Sequence, residues 1–456
     1  MEGRMELQPS HKRCNATFFY VFSVATSVAL LACPVPINAA ADTTEEEPIS
    51  LQLGESIWRQ WPVPSTILLI DENPEDSEDQ SDSEKADFAD EIKNEKEPRW
   101  QYELDGLLAY RTSWEWLDED PRVQDENLRM QFGIQVEHAA KWEFKLALGT
   151  YRPNRPTTDW VLPEDLSDTH WLRPQEYWVR KDCELRDGQE LRLQAGRFNY
   201  PFELTQLVFD NDLYLPGVFA QYQYETTGNG PWDQLGFAVF GAQLHDGNDD
   251  PGSASRLVSA RLDSCWRWHN CFRLDAALSY HNITDVDTIG RAVAKGDWRV
   301  GGIAGQGETT NYTGNTGALS SNYRLADAWL EAEWWSDSDW PLSIELEYVR
   351  NMGAKGTGGT RDTAYYACCE IGRNGDPGDW QFGVERIYIE PEAVLAAVNR
   401  GSYGTNYRAT WLTASYTISE HLETSATYTL AHSIFADAPL APYDLKQLKL
   451  YLTYSW

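Results

Sequence analysis

Hydrophobic and polar residues alternate with a period of two along most of the chain from Trp100 onward. In the first stretch, residues of one parity are large and apolar, and residues of the other are polar or charged. The apolar set is Trp100, Tyr102, Leu104, Leu108, Tyr110, Trp114 and Trp116, and the polar set is Gln101, Glu103, Asp105, Arg111, Ser113 and Glu115. Successive side chains of a β-strand point to opposite faces, so this pattern predicts a strand with one apolar and one polar face.

The same alternation recurs through the rest of the chain, at about 22 residues per strand. Fifteen segments can be placed, starting near residues 100, 126, 141, 174, 190, 217, 233, 254, 271, 321, 341, 379, 405, 421 and 444. Bacterial membrane barrels have even strand numbers, so we predict about 16 antiparallel strands, with 14 to 18 as the range.

The gaps between these segments are of two kinds. Short gaps such as 139–141 and 420–421 predict tight turns, whereas long gaps at 283–320 and 352–378 are rich in Gly, Thr, Asn and Asp and predict loops. One helix-like stretch, residues 391–400, lies inside a loop. Short periplasmic turns and long extracellular loops are typical of outer-membrane barrels.

The direction of the apolar faces separates a soluble β-sandwich from a membrane barrel. In a sandwich these faces meet in a core, whereas in a barrel they face lipid and the polar faces line water. Aromatic residues near strand ends and charges on the polar faces favour the barrel. The last strand, Lys446 to Trp456, adds an apolar stripe that ends in an aromatic residue, which is typical of the signal recognised by the outer-membrane barrel assembly machinery.

The first 99 residues have a different composition. Residues 1–41 are typical of a secretory signal, with basic residues, an apolar stretch and small residues at 39–41. A lipoprotein signal with Cys33 as the acylated residue is the alternative. Residues 42–99 contain 18 acidic and 5 basic residues, and from residue 71 onward few large apolar ones, so we predict an acidic, mostly disordered periplasmic segment.

Composition agrees with this division into a signal peptide, 1–41, an acidic segment, 42–99, and an all-β transmembrane barrel, 100–456. The mean hydropathy is −0.54, although 13% of residues are aromatic and 20 are Trp. A polar lumen combined with aromatic girdles gives this balance. The chain has a net charge of −33, and residues 100–456 hold 51 acidic against 30 basic residues, so we expect a preference for cationic or neutral solutes.

Five of the seven cysteines lie after the signal, with no spacing typical of a metal site. Cys265 and Cys271 flank a predicted hairpin turn. Either a disulfide joins them across that turn or both remain free thiols.

Two adjacent stretches carry a resemblance to a known family. Residues 193–202, LQAGRFNYPF, and residues 207–213, LVFDNDL, followed by Gly217 and Val218, resemble the "Putative porin" family of Gram-negative bacteria. The resemblance extends over residues 100–456 and implies an outer-membrane pore without specifying its substrate. The helical or coiled-coil amino-terminal segment of many members is not seen in residues 42–99.

The connection at 198–214 is long and partly apolar for a plain turn, so we predict that it folds into the lumen as a constriction. A surface loop with capping aspartates is the alternative. As a pore element, Glu203, Asp210 and Asp212 would set a negative field. The basic side chains predicted to face it across the water are Arg111, Arg129 and Arg197.

No catalytic set, metal site or cofactor site is predicted. The eight histidines are scattered, and Asp210 and Asp212 lack the Gly and Glu that a calcium loop needs at fixed offsets. We therefore expect a passive channel for small hydrophilic solutes in the outer membrane of a Gram-negative bacterium. A substrate-specific export or uptake barrel, a barrel enzyme and a non-conducting anchoring protein are the alternatives. The expected partners are outer-membrane lipid, lipopolysaccharide and the assembly machinery, with a homo-oligomer possible and no nucleic acid.

Overall fold

A computed structural model of the chain describes residues 66–68, 100–117, 120–150, 172–202, 206–210, 213–226, 232–245, 254–268, 271–295, 311–313, 317–335, 338–355, 360–399, 404–438 and 443–456. The predicted signal peptide, almost all of the predicted acidic segment, Cys33, Glu203 and Asp212 lie outside these residues. The strands are β1 (Thr66–Leu68), β2 (Trp100–Leu117), β3 (Asp120–His138), β4 (Trp142–Thr150), β5 (Leu172–Arg186), β6 (Gln189–Asn199), β7 (Tyr214–Glu225), β8 (Trp232–His245), β9 (Ser255–Trp268), β10 (Phe272–Thr284), β11 (Tyr323–Trp334), β12 (Leu342–Asn351), β13 (Thr363–Gly372), β14 (Trp380–Ile389), β15 (Tyr407–Ser419), β16 (Leu422–Ser433) and β17 (Asp444–Ser455). One helix, α1, spans Val286–Lys295.

Sixteen of these strands, β2 to β17, form one closed antiparallel barrel, which confirms the predicted fold class and strand number. Each strand pairs with the next along the chain. The barrel closes where β17 pairs with β2, from Leu445 opposite Leu117 to Ser455 opposite Leu107. Closure leaves these strands with partners on both sides, as lipid requires of a spanning sheet.

The connections divide between the two ends of the barrel. Tight turns such as 139–141, 187–188 and 420–421 lie at one end, together with the start of β2 and the end of β17. The long connections, among them 200–213, 285–322 and 390–406, all lie at the other end. By the usual asymmetry of such barrels, the short-turn end is periplasmic and the long-loop end is extracellular.

The outer face is apolar and exposed along its length, as the alternation predicts. Val218, Val258 and Leu278 are each about 60% exposed although they are aliphatic: 62%, 58% and 62%. In a water-soluble protein such positions would be buried, so their exposure identifies the lipid-facing surface. Among the described residues, no helix is long and apolar enough to cross a bilayer.

Aromatic side chains form a girdle at each edge of this outer face. At the periplasmic edge, the Trp380 ring lies 4.7 Å from Tyr416 and 5.8 Å from Phe382. At the extracellular edge, Tyr365 stacks on Tyr388 at 4.8 Å. Trp380 and Tyr388 are separated by about 27 Å along β14, or about 20 Å along the barrel axis at the usual tilt, close to the height of a membrane barrel's apolar band.

Three details differ from the sequence expectations. Strand β13 lies inside residues 352–378, which we predicted to be a loop, because its run of Ala, Tyr and Cys has weak alternation. Helix α1 lies inside the predicted loop 283–320, whereas residues 391–399 form successive turns rather than a helix. No disulfide joins Cys265 and Cys271, so that alternative is wrong.

The seam between β17 and β2 ends in an aromatic contact on the outer face. Gly106 and Trp456 exchange two backbone hydrogen bonds of 3.2 Å. A Cβ atom on Gly106 would lie 2.0 Å from Cζ2 of Trp456, so the absent side chain makes room for the indole. The indole also packs against Phe132 at 5.6 Å. Beyond this point β1 pairs with β2 at residues 102–104, so part of the predicted disordered segment is a short strand.

We predict that Gly106→Ala destabilises the barrel by roughly 1–3 kcal/mol, because the methyl group forces the Trp456 indole off the sheet. The measurement is the temperature at which the refolded protein loses its fast, folded migration on gels. Gly241→Ala is the matched control, because its nearest neighbour to the added Cβ, Val218, is 4.0 Å away. In a Trp456→Ala background the Gly106 effect should vanish, and an effect of equal size there would contradict this explanation.

Candidate functional site: the inner wall and its inward segments

The connection between β6 and β7 folds into the barrel. Four of its aromatic and aliphatic side chains are almost fully buried: Tyr200 is 4% exposed, Phe202 3%, Leu207 0% and Phe209 1%. They pack on inward-facing residues of β8 to β12 rather than on solvent. We call residues 200–213 the inward loop.

Polar contacts fix the inward loop to the far side of the barrel. The backbone N–H of Gln206 donates to Glu347 at 2.5 Å, and its side-chain amide donates to Glu345 at 3.0 Å. The Tyr200 hydroxyl lies 3.1 Å from Nδ1 of His281 on β10. Because β12 is five strands beyond β7, the loop crosses the lumen instead of lying along its own strands.

A second inward segment, residues 391–399, meets the inward loop inside the barrel. The backbone N–H of Asp210 donates to the carbonyl of Val398 at 2.8 Å. Asn311, fully buried, holds this segment with three hydrogen bonds. Its Nδ2 donates to the carbonyls of Pro391 and Val394, at 2.6 and 2.9 Å, and its Oδ1 accepts from the N–H of Ala396 at 2.9 Å.

Glu392 anchors the same segment from the other side. Its Oε1 accepts from the backbone N–H of Tyr312 at 2.6 Å, and its Oε2 accepts from the Tyr323 hydroxyl at 3.2 Å. Burial raises the pKa of the Glu392 carboxyl above its usual value, against the opposing effect of these hydrogen bonds. Asn351 donates to the Glu392 carbonyl at 2.8 Å, so the residue is fixed by backbone and side chain together.

The extracellular half of the inner wall is apolar where these segments pack. Helix α1 adds Val286, Ile289 and Val293, each at most 5% exposed. Strand residues complete one continuous hydrophobic cluster, which we call the lumen cluster. Its strand members include Phe240, Leu257, Tyr323, Leu325, Val349, Tyr366, Ile387, Ile389, Tyr407 and Trp411.

The lower part of the inner wall carries two clusters of opposite charge. Seven carboxylates face inward from β11 to β14 and form the acidic wall: Asp327, Glu331, Glu333, Glu345, Glu347, Glu370 and Glu385. Neutral donors contact this wall, for example the Trp329 indole N–H, 2.7 Å from Glu345. Three inward cations, Arg111, Arg129 and Lys449, lie on the adjoining strands β2, β3 and β17 and form the basic cluster.

The predicted site residues are distributed differently from the expectation. Arg111 and Arg129 face inward, and Asp210 lies in the inward loop. Arg197 faces the outside, because it shares a face with exposed Leu193 and lies opposite exposed Tyr177. Its Nε donates to the carbonyl of Gln175 at 3.0 Å. The assignment of Arg197 to the lumen is therefore wrong. Arg197 is the neighbour of the inward Phe198, and adjacent side chains of a strand point to opposite faces.

Sequence reasoning missed the residues that hold the inward segments. The acidic wall was visible as the polar parity of β11 and β12, but nothing placed it opposite residue 206. Asn311 and Glu392 lie in connections, where no periodicity reports on burial. One signal was available: at the extracellular ends of β11, β14 and β15 the inward parity is apolar instead of polar, which indicates that something packs on the inside.

The inner wall is closely covered. Thr429 is fully buried and Lys449 is 4% exposed, whereas outward Leu412 and Leu450 are 42% and 38% exposed. A wide water-filled tube would expose the inward side chains instead. The inward loop and residues 391–399 occupy part of the lumen, so they limit the width of the passage.

The chain is similar to known proteins in sequence and in structure. A family profile described as "Putative porin" matches residues 77–452. No curated protein matches the chain. Similar solved structures include OmpF of Salmonella typhi in complex with daunomycin (12% identity, TM-score 0.49, 78% of this chain and 98% of that one) and OprB of Pseudomonas putida (12%, 0.48, 78% and 94%). An anion-selective porin from Comamonas acidovorans is also similar (9%, 0.43, 78% and 100%).

We predict that Asn311→Ala loosens residues 391–399 and raises single-channel conductance. Three backbone groups lose their hydrogen-bond partner inside the barrel. Each one that no water reaches costs roughly 1–3 kcal/mol of free energy. Asn322→Ala is the control, because this exposed residue lies in the same connection. Planar-bilayer recordings of both variants provide the measurement, and equal conductance in the two would contradict the assigned role of Asn311.

The raised pKa of Glu392 predicts a pH-dependent conductance. The docked segment favours the neutral carboxyl, so docking is strongest below the ordinary glutamate pKa of about 4.3. It weakens as the pH rises from there through the raised pKa, and stays constant above it. Conductance should increase over that window in the wild type, and Glu392→Gln should abolish the change. A wild-type conductance that is flat across this window would contradict the prediction.

Proposed function

The chain belongs to the "Putative porin" family and is an outer-membrane porin of a Gram-negative bacterium; on that premise, we propose that it passes small hydrophilic solutes by passive diffusion and favours cationic or neutral ones. The observation that carries the preference is the acidic wall. Seven carboxylates line β11 to β14, and within the described residues of these four strands no inward side chain is basic. Inside a barrel of low-dielectric walls, such an excess concentrates cations along the passage.

The two charge clusters also set a direction for the field across the lumen. Two strands, β15 and β16, separate the acidic wall from β17, so the clusters face one another obliquely. A solute crossing between them experiences opposite charges on its two sides. Polar solutes with a dipole or both charges are therefore expected to pass more readily than anions of the same size.

A substrate-specific barrel is the second candidate, and the close coverage of the inner wall favours it. The inward loop and residues 391–399 leave less room than an open tube would have. A specific channel should show conductance that saturates with one solute, whereas a general channel should show conductance proportional to bulk salt. Single-channel titration with salts and neutral sugars separates the two.

We predict that neutralising the two charge clusters shifts ion selectivity in opposite directions. Glu345→Gln with Glu347→Gln should lower the preference for cations, because two negative charges leave the wall while the acceptors for Gln206 remain. Arg111→Gln with Arg129→Gln should raise it. The measurement is the reversal potential in a salt gradient, and unchanged potentials in both variants would refute an electrostatic role for the wall.

The inward loop is tested by the same measurement. Asp210→Asn with Asp212→Asn removes two loop charges, and we expect a smaller shift of the reversal potential in the same direction as for the acidic wall. Asp233→Asn, near the periplasmic turn after β7, removes a charge remote from the loop and serves as control. A shift as large in the control would assign the effect to overall charge.

A further inference from the structure

We propose that the outer face carries a binding site for the phosphate groups of lipopolysaccharide, formed by a row of basic side chains at the extracellular edge. The row, which we call the basic rim, consists of Arg324, Arg350, Arg386, Arg408 and Lys446. This inference rests on the outer-membrane location and not on the proposed transport.

The alternation places the basic rim outside the barrel. Arg324 is exposed between Tyr323 and Leu325, which are both fully buried. Lys446 is exposed between buried Leu445 and Gln447. Inward side chains on the same strands are covered, so these cations lie on the lipid-facing surface.

The strand bounds place the basic rim at one level. Arg324 and Arg408 are the second residues of β11 and β15, and Lys446 is the third residue of β17. Arg350 is the penultimate residue of β12, and Arg386 lies three residues before the end of β14. All five positions are at the long-loop end, where an outward charge reaches the headgroup region rather than the hydrocarbon.

Cross-strand pairing joins the basic rim to the extracellular aromatic girdle. Tyr348 lies opposite Tyr365, Tyr365 opposite Tyr388, and Tyr388 opposite Arg408. Arg408 in turn lies opposite His432. A phosphorylated sugar headgroup would find flat phenol rings beside guanidinium groups, a combination that suits both the sugar and its phosphates.

The basic rim is only partly neutralised by the protein itself. Arg350 pairs with Asp362 at 3.2 Å, and the neighbouring His432 pairs with Asp444 at 2.5 Å. In the part of the chain that the structure describes, Arg324, Arg408 and Lys446 form no ion pair. Three exposed cations at the edge of the lipid face are therefore available to an anion from the bilayer.

The opposite edge of the same strands carries no such charges. Within the described residues of β11 to β17, the outward side chains at the periplasmic end are apolar, aromatic or neutral, such as Trp334, Trp380, Phe382, Ile418 and Tyr454. Both edges meet lipid headgroups, so a general need to solvate basic side chains would act at both. The asymmetry points to the leaflet that is richest in phosphate, which is the lipopolysaccharide leaflet.

The test compares two variants that each lose three cations from opposite faces. Arg324→Gln, Arg408→Gln and Lys446→Gln in one chain remove the unpaired members of the basic rim. The control chain removes the basic cluster of the lumen, Arg111, Arg129 and Lys449, by the same substitution. Both are refolded as full-length protein in neutral detergent, and binding of purified lipopolysaccharide is measured by titration.

We expect affinity for lipopolysaccharide to fall on the order of 100-fold in the rim variant and to change little in the lumen variant. Phosphatase-treated lipopolysaccharide should bind the wild type as weakly as intact lipopolysaccharide binds the rim variant. Equal affinity of the two variants would overturn the proposal, and so would undiminished binding of the dephosphorylated lipid. Equally tight, rim-dependent binding of phosphatidylglycerol would overturn the assignment to lipopolysaccharide.

A single substitution guards against loss of folding in the triple variant. Arg408→Gln, at the centre of the row, should lower affinity roughly fivefold, and heat-modifiable migration verifies its fold. Lys446→Gln is measured as a second single variant. If both folded variants bind lipopolysaccharide with the affinity of the wild type, the proposal is overturned. Reversal potentials of the rim variants should equal that of the wild type, so a failed lipid site remains distinguishable from a failed channel.

Discussion

The structure depends on the pairing of β17 with β2. In hydrocarbon, an unpaired backbone group costs several kcal/mol, so a sheet of this length is tolerated only when it has no open edge. The register from Leu445–Leu117 to Ser455–Leu107 supplies that closure, and the glycine at 106 allows the terminal indole to cover the end of the seam. Every other feature, including the lipid face and the enclosed lumen, exists only because this pair joins the first barrel strand to the last.

Closure also determines the environment of alternate residues along each strand. One parity faces lipid along the whole strand. The other parity meets two environments, a charged zone lower in the barrel and an apolar zone near the long loops. Residues such as Glu345 belong to the first zone and Leu325 to the second. The inward loop and residues 391–399 pack on the apolar zone, and their polar anchors reach the charged zone. Loop position and wall composition therefore depend on each other.

The sequence alone was enough to predict the barrel, its strand number and most strand starts, because period-two alternation is a local signal. It failed at β13, where Tyr, Ala and Cys occupy both parities, and at Arg197, where a shift of one residue reverses the face. The inward folding of residues 200–213 was predictable from length and apolar content. Its contact with Glu347, like the contacts of Asn311 and Glu392, joins residues 41 or more positions apart, and a periodic pattern in the sequence cannot predict such pairs.

The molecule has two separate hydrophobic regions, the lipid-facing outer surface and the lumen cluster. The outer surface is stabilised by contact with lipid or detergent. The inner cluster, which includes Phe209, Ile289 and Val394, is stabilised by the hydrophobic effect, as in a water-soluble protein. Urea weakens the lumen cluster while the belt of detergent still protects the lipid-facing surface. We therefore expect the barrel to unfold in two cooperative steps. The lumen cluster should unfold at a lower denaturant concentration than the strands that enclose it.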